Sequence, residues 1–246
     1  MIFNCKFKSI LLIMALGVSS LSAQEKIEKD IFNLDGGTLE ISFIGHGTLM
    51  FNWNGTIIHI DPVSSEADYS TLPDADIILV THEHGDHLDL AAIDLVKKDN
   101  CIVFCNSASA GKLENSHVMN NGDRVEANGI IIEAVPAYNI LNERSPGNPF
   151  HPKGSGNGYI LVFGKTRVYI AGDTENIPEM EYFGKIDIAF LPMNLPYTMS
   201  PEMAADATRI LEPDVLYPYH FGSTDTSILV DLLKGMIVDI RIRKME

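Results

Sequence analysis

The densest group of metal-binding side chains in the sequence lies at residues 82–87, which read His-Glu-His-Gly-Asp-His. An apolar run ending at Val80 precedes them and predicts a buried β-strand. Because side chains two positions apart in an extended segment point the same way, His82 and His84 can bind one cation together. Asp86 and His87 follow and can reach a second cation. Imidazole and carboxylate groups are typical zinc ligands, so this stretch predicts a site for divalent metal.

Three more apolar runs each lead into a residue that could serve the same site. One run ends at Asp61, one at Gly172 and Asp173, and one at His220. In sheet proteins, functional residues gather on the loops that leave one edge of a rigid scaffold. We therefore expect Asp173 and His220 to converge on the histidine-rich stretch. Taken singly, each of these residues could equally be structural.

The pattern of residues 82–87 resembles the His-x-His-x-Asp-His signature of the metallo-β-lactamase superfamily, and the resemblance extends from about Ile41 to Tyr219. It implies an α+β protein with a four-layer αββα sandwich, the metallo-β-lactamase fold. It also implies one or two divalent metal ions, zinc before manganese or iron, in an active site. The metal ligands that it implies are His82, His84, Asp86, His87, Asp173 and His220. Asp61 is implied to orient a ligating histidine from behind.

Further motifs resemble one branch of this superfamily. They are Ile-Gly-His at His46, Ala-Gly-Asp-Thr at Asp173 and Tyr-Thr-Met at Tyr197. The branch contains uncharacterised metal-dependent hydrolases related to L-ascorbate-6-phosphate lactonase and N-acylphosphatidylethanolamine phospholipase D. It implies that a metal-activated hydroxide, oriented by the catalytic Asp86, attacks a small ester, lactone or phosphodiester-like substrate. His46 and Tyr197 are expected to line the pocket, with a turn role as the alternative for His46.

A second function remains compatible with the same residues. The protein could be a non-catalytic periplasmic metal-binding or sensing protein. Such a protein would have a closed metal site, because a structural or storage metal has no open coordination position. An open pocket at the metal site would therefore distinguish the hydrolase from this alternative.

The sequence departs from the superfamily at the third ligand of the first metal. The superfamily commonly supplies a histidine after the strand that ends near Ala137, but this chain has Asn139 there. The loop 139–158 is rich in Gly, Pro, Asn and Ser, and its one histidine is His151. We predict that the loop folds back and that His151 is the third ligand, with Asn139 as a pocket residue at most. The alternative is a surface histidine, which would leave two histidines with Asp173 or water.

The first 23 residues have the pattern of a secretory signal peptide. Lys6 and Lys8 precede an apolar run, and small residues lead up to Ala23. We expect cleavage after Ala23, one metallo-hydrolase domain over residues 24–246, and export to the periplasm or the medium. The apolar run is too short to span a bilayer easily, so we expect no stable membrane insertion after cleavage. The polar residues 24–33 predict a frayed lead-in.

The net charge indicates which class of ligand the protein binds, and the spacing of the cysteines indicates whether they form a disulfide. The formal net charge of −15 at pH 7 would repel nucleic acid phosphates, so a small-molecule substrate is expected and nucleic acid is not. Cys101 and Cys105 flank a predicted strand and would lie about 13 Å apart, which is too far for a disulfide. They are predicted to be buried free thiols. The oligomeric state stays open.

Local signals predict several elements between these residues. Asn54-Gly55 lies between two apolar runs and predicts a tight hairpin. Asp89 and Ser200 are expected to cap helices, and Pro201 fits the first position of the second helix. The mixed order of strands and helices is compatible with two packed sheets that have helices outside.

Overall fold

The computed structural model describes residues 27–246, so the signal-peptide prediction for residues 1–23 lies outside the described residues. A seven-stranded sheet occupies the first half of this range, and its strands lie side by side in chain order. Its strands are β1 (Glu28–Leu34), β2 (Gly37–Gly45), β3 (Thr48–Trp53), β4 (Thr56–Ile60), β5 (Ala75–Val80), β6 (Lys97–Cys105) and β7 (Ser116–Val118).

A second seven-stranded sheet follows, in the spatial order β16-β15-β14-β13-β12-β9-β8. Its strands are β8 (Arg124–Ala127), β9 (Ile130–Ala137), β12 (Gly156–Phe163), β13 (Thr166–Ile170), β14 (Ile188–Pro192), β15 (Val215–Tyr219) and β16 (Asp239–Ile240). A small hairpin of β10 (Glu143–Ser145) and β11 (Asn148–Pro149) interrupts the loop between β9 and β12. The helices are α1 (Leu90–Val96), α2 (Ser107–Ala110), α3 (Pro201–Leu211) and α4 (Thr226–Leu232), and 3₁₀ turns cover Tyr69–Thr71 and Pro178–Tyr182.

The side chains of β5 alternate between two apolar clusters, one on each face of the first sheet. Ile77 and Leu79 belong to the large apolar core that both sheets share. Ile78 and Val80 point to the other face, where they pack in a second apolar cluster with Ile93 of α1. Successive side chains of a strand point to opposite faces, so β5 is covered on both sides. The predicted αββα sandwich of the α+β class is confirmed.

The local turn and cap predictions are also confirmed. Asn54 and Gly55 both have positive φ and join β3 to β4, as a tight hairpin requires. The Asp89 side chain accepts hydrogen bonds from the first turn of α1. Ser200 caps α3 by accepting a hydrogen bond from the Met203 amide, and Pro201 opens the helix.

The prediction of a frayed lead-in is wrong from Glu28 onward, because these residues form β1. Asp30 of this strand forms ion pairs with Arg241 and Arg243 and accepts a hydrogen bond from the Tyr217 hydroxyl. These partners lie about 190 to 210 positions away along the chain, so the local polar composition gives no sign of them.

The cysteine and membrane predictions have separate outcomes. Cys101 and Cys105 are free thiols, and Cys105 is buried whereas Cys101 is partly exposed. Burial raises the pKa of the Cys101 thiol to about 11, so it stays protonated at neutral pH. No helix within residues 27–246 is both long and apolar enough to cross a bilayer.

Parallel pairing brings the functional strand ends together. β4 and β5 run parallel in the first sheet, and β13, β14 and β15 run parallel in the second. The carboxyl ends of parallel strands meet at one edge of a sheet. Asp61, His82, Asp173 and His220 follow these strands directly or after one or two residues. The two edges face each other, and the space between them contains the site described next.

Candidate metal centre

Three histidines from two separate loops meet at the first position. The Nδ1 atom of His84 lies 3.1 Å from Nε2 of His82 and 3.2 Å from Nε2 of His151. Oδ2 of Asp173 lies 3.3 Å from Nε2 of His151 and 3.8 Å from Nε2 of His82. The four donor atoms all lie within 4.8 Å of one another. A single divalent cation could bind all four.

A second group of donors lies on the other side of Asp173. Its Oδ1 atom is 3.3 Å from Nε2 of His87 and 3.5 Å from Nε2 of His220. Oδ2 of Asp86 lies 3.9 Å from Nε2 of His87 and 3.7 Å from Nε2 of His220. The two oxygens of Asp173 therefore face two different groups of imidazoles, which is the geometry of a carboxylate between two cations.

The hydrogen bonding of these groups fits bound metal. Within residues 27–246, Nε2 of His87, Nε2 of His220 and Oδ1 of Asp173 are buried and have no hydrogen-bond partner. A buried polar atom without a partner costs about 1–3 kcal/mol. All three atoms point to the same place, so one cation between them would satisfy them together.

The electrostatics agree with this fit. Burial lowers the pKa of His151 to about 4, which leaves a neutral imidazole with a free lone pair. Burial acts to raise the pKa of Asp173, but His220 and His87 outweigh it and lower that pKa below its ordinary value. Burial acts to lower the pKa of His87, yet Asp173 and Asp61 outweigh it and raise that pKa. The cluster thus favours positive charge at the place where the unpaired atoms converge.

Asp61 lies behind His87. Its carboxylate accepts a hydrogen bond from Nδ1 of His87 at 2.8 Å, and the Thr81 amide and hydroxyl donate to it at 2.7 and 2.6 Å. With the proton on Nδ1, the Nε2 lone pair of His87 is directed at Asp173 and the cation position. Asp61 has a φ of 46°, a backbone strain of the kind that functional sites retain.

Asn139 holds His151 in place from behind. Its Oδ1 atom accepts hydrogen bonds from Nδ1 of His151 at 2.7 Å and from the His151 amide at 2.8 Å. The Asn139 amide donates to the His151 carbonyl at 2.9 Å. Asn139 is buried and does not line the cavity at the site. It orients the histidine so that Nε2 faces the other donors.

Glu175 is one of the residues that sequence reasoning missed. It is fully buried, and its carboxylate accepts hydrogen bonds from the amides of Ile140, Leu141 and Asn142 at 2.7–2.9 Å. Nδ2 of Asn139 also donates to it at 3.1 Å. Glu175 therefore fixes the start of the loop that carries His151. Its only sequence signal is its position two residues after Asp173.

A cavity of about 440 Å³ opens onto both groups of donors. Asp86, His46 and Tyr197 line it, together with Arg144, which the sequence analysis did not single out. The Asp86 carboxylate is half-exposed there, and Nε2 of His46 lies 3.5 Å from it. Nδ1 of His46 contacts the backbone carbonyl of Glu246 at 3.0 Å. His46 also lies in the turn between β2 and β3 with a φ of 50°, so it combines the two roles that the sequence left open, a turn residue and a place in the pocket.

Known proteins with related sequences show the family of this chain. The family described as the beta-lactamase superfamily domain matches residues 40–220. A UPF0173 metal-dependent hydrolase of Methanopyrus kandleri is 31% identical over 197 residues, which cover 75% of this chain and 85% of that protein. A UPF0173 metal-dependent hydrolase of Lysinibacillus sphaericus is 31% identical over 218 residues, or 82% of this chain and 96% of that protein.

Solved structures agree in fold. The crystal structure of a proposed metal-dependent hydrolase from Parabacteroides distasonis is 49% identical, with a TM-score of 0.86, and the match covers 90% of this chain and all of that one. Igni18, a metallo hydrolase of Ignicoccus hospitalis, has a TM-score of 0.70 at 24% identity over 84% of this chain and 95% of that one, and so shows the fold alone. From the family match and these relatives, the chain belongs to the beta-lactamase superfamily domain family, in its branch of metal-dependent hydrolases.

Proposed function

We propose that this protein hydrolyses a small ester, lactone or phosphodiester with two divalent metal ions. His82, His84 and His151 would hold the first ion, and Asp86, His87 and His220 the second. The observation that carries the proposal is Asp173, whose buried carboxylate turns one oxygen to each group of imidazoles. Sites so rich in imidazole suit zinc better than manganese, and zinc is the proposed metal.

The chain's own residues would perform the positioning. When bound, the ions lower the pKa of water toward about 7 and polarise the substrate oxygen. Asp86 projects into the cavity, so its carboxylate can accept a hydrogen bond from the attacking water and fix its direction. Asp61 and Asn139 hold the rings of His87 and His151 at the required angle. Tyr197 closes one side of the cavity.

The open cavity favours catalysis over a non-catalytic metal-binding or sensing role. A structural metal is enclosed by protein ligands, whereas a catalytic metal keeps a position for water or substrate. In this protein about 440 Å³ of space adjoins Asp86, Asp173 and His220. A small substrate fits in a volume of this size.

The test combines metal content with turnover. The purified protein is assayed on a panel of esters, lactones and phosphodiesters, with zinc counted by atomic emission before and after chelation. We expect activity to disappear on chelation and to return with zinc, and Asp86→Ala to lower kcat at least about 100-fold. The matched control is Asp94→Ala, an exposed aspartate on α1 away from the cavity. Unchanged turnover in the stripped protein and in Asp86→Ala would refute the proposal.

We also propose that the protein is exported and that cleavage after Ala23 leaves one domain of residues 24–246 in the periplasm or the medium. The charged, apolar and small-residue order of residues 1–23 supports this. Mass spectrometry of the protein from fractionated cells is the measurement. A cytosolic protein that retains residues 1–23 would contradict it.

A further inference from the structure

Arg144 is the one arginine in residues 27–246 whose guanidinium has no carboxylate partner. The other five each form an ion pair with an aspartate or glutamate: Arg124, Arg167, Arg209, Arg241 and Arg243. The whole chain has 33 acidic residues against 18 basic ones, so acidic partners are plentiful. A guanidinium is charged at all physiological pH values and suits planar oxyanions. An unpaired one in so acidic a protein points to a partner outside the chain.

The unpaired arginine lies at the proposed active site. Arg144 is in β10 of the small hairpin and lines the cavity together with Asp86 and His220. Its Cζ atom lies 5.0 Å from the centroid of the Phe150 ring, and that ring lies edge-to-face on Tyr197 at 5.1 Å. A cation over an aromatic face is attracted to it. Arg144 is exposed to solvent, and the contact with Phe150 holds its guanidinium at the cavity wall.

A second donor lies beside the guanidinium. Nη2 of Arg144 is 3.4 Å from Nε2 of His84. Nδ1 of His84 faces the rings of His82 and His151, so in the proposed metal site the His84 proton is on Nε2. Two N–H donors then stand next to each other and cannot bond to each other. One acceptor oxygen placed between them would satisfy both.

The hairpin that carries Arg144 is anchored firmly. Glu175 accepts hydrogen bonds from the amides of Ile140, Leu141 and Asn142, and the last of these is two residues before Arg144. Nδ2 of Asn142 also donates to the Thr198 carbonyl at 3.2 Å. Binding therefore needs little further ordering of the chain, which is the condition for a strong contribution to affinity.

We infer that Arg144 binds an anionic group of the substrate, a carboxylate or a phosphate, while the scissile bond lies at the metal ions. The inference rests on the proposed function and narrows it to substrates that carry an oxyanion. Arg144 would determine specificity through binding and would take no part in bond breaking. The negatively charged surface of the protein otherwise repels anions, so Arg144 adds a positive charge beside the proposed metal ions at which an anionic group can bind.

The test measures anion binding to the zinc-loaded protein by calorimetry, with inorganic phosphate and glutarate as probes. Each is titrated into wild type, Arg144→Gln, Arg144→Lys and the matched control Arg124→Gln, whose arginine lies outside the cavity and pairs with Glu133. Zinc content and the melting temperature are measured for each variant. We expect Arg144→Gln to weaken at least one probe about 10- to 100-fold, as loss of a charge-assisted hydrogen bond does. Arg144→Lys should recover part of that loss, and Arg124→Gln should stay within about twofold.

The outcomes separate the possible sources of the anion. A loss confined to phosphate supports a phosphate group, a loss confined to glutarate supports a carboxylate, and a loss of both supports oxyanion binding in general. Equal affinities of wild type and Arg144→Gln for both probes would overturn the inference and leave the hydrolase proposal standing. A wild-type protein that fails to take up zinc would overturn the proposed function and this inference together.

Discussion

Two charged clusters of this protein, one partly buried around Asp30 and one buried around Asp173, differ in how many of their polar atoms have a hydrogen-bond partner. Around Asp30, both carboxylate oxygens accept hydrogen bonds, from Arg243 to Oδ1 and Oδ2, from Arg241 to Oδ2 and from the Tyr217 hydroxyl to Oδ2. Around Asp173, the buried Oδ1 has no hydrogen-bond partner within the described residues, and neither have Nε2 of His87 and Nε2 of His220.

This difference indicates that the Asp30 cluster stabilises the fold, whereas the Asp173 cluster binds a ligand. A buried carboxylate must be paired or it destabilises the protein. Asp30 forms ion pairs with Arg241 and Arg243, and these pairs connect β1 to the C-terminal end of the chain. Asp173 lies among imidazoles whose ligand atoms converge with its own oxygens. Changes at Asp173 and its neighbours should therefore affect metal binding, and changes at Asp30 should affect stability.

The largest expected effect is loss of metal on removal of His151. Because a catalytic zinc usually has three protein ligands, His151→Ala should lower zinc content as strongly as His82→Ala and reduce kcat at least about 100-fold. Atomic emission and turnover on the same samples measure both. His117→Ala is the matched control, because His117 is exposed and away from the cavity. Full zinc content and activity in His151→Ala would show that the loop histidine is no ligand.

A smaller effect on the same cluster is expected for Asn139→Ala. The change removes the acceptor that fixes the His151 ring but leaves the ring itself. Loss of such an orienting partner typically costs about 10- to 100-fold in metal affinity. Competition with a zinc chelator of known affinity measures it, and Asn139→Asp, which keeps an acceptor oxygen, should bind more tightly than Asn139→Ala. Wild-type affinity in Asn139→Ala would mean that the ring needs no orientation.

At the Asp30 cluster we expect the reverse result, a loss of stability without a loss of zinc. Asp30→Asn removes a charge that three side chains contact, so the free energy of unfolding should fall by about 1.5–3 kcal/mol, the range for hydrogen bonds to charged groups. Zinc content should not change. Urea unfolding measured alongside zinc content tests both halves of the comparison. A variant that kept its stability but lost zinc would reverse the roles assigned to the two clusters.

The sequence predicted the metal cluster better than the Asp30 cluster, for a physical reason. Asp173, His220 and the histidine-rich stretch each follow an apolar strand, and together with the family resemblance this pattern predicted that they converge at one edge. Asp30 is instead paired with residues about 190 to 210 positions away, and nothing local marks β1 as a strand. Glu175 and Arg144 were missed likewise, since their roles depend on how loop 139–158 folds back. Local signals predict turns, caps and strand ends, while partners chosen by packing appear only in three dimensions.

The smallest effect concerns pH and tests whether Asp30 is ionised in the folded state. Burial acts to raise its pKa, but hydrogen bonds from Arg243, Tyr217 and Arg241 outweigh this and hold the pKa below the ordinary value of 3.8. The folded protein then binds fewer protons than the unfolded chain as the pH falls below that value. The stability from Asp30 is fully present above the ordinary pKa and is lost as the pH falls through the lowered one.

Comparison of variants isolates this contribution from the histidines, which also titrate in acid. The difference in unfolding free energy between wild type and Asp30→Asn is measured in urea on metal-free protein at neutral pH and at steps downward from the ordinary aspartate pKa of 3.8. Other groups contribute equally to both proteins and cancel. The difference should be constant at higher pH and should shrink as acid protonates Asp30. If this difference in free energy stayed constant down to the lowest pH, the folded and unfolded states would bind the same number of protons at Asp30. The negative charge of Asp30 would then contribute nothing to stability.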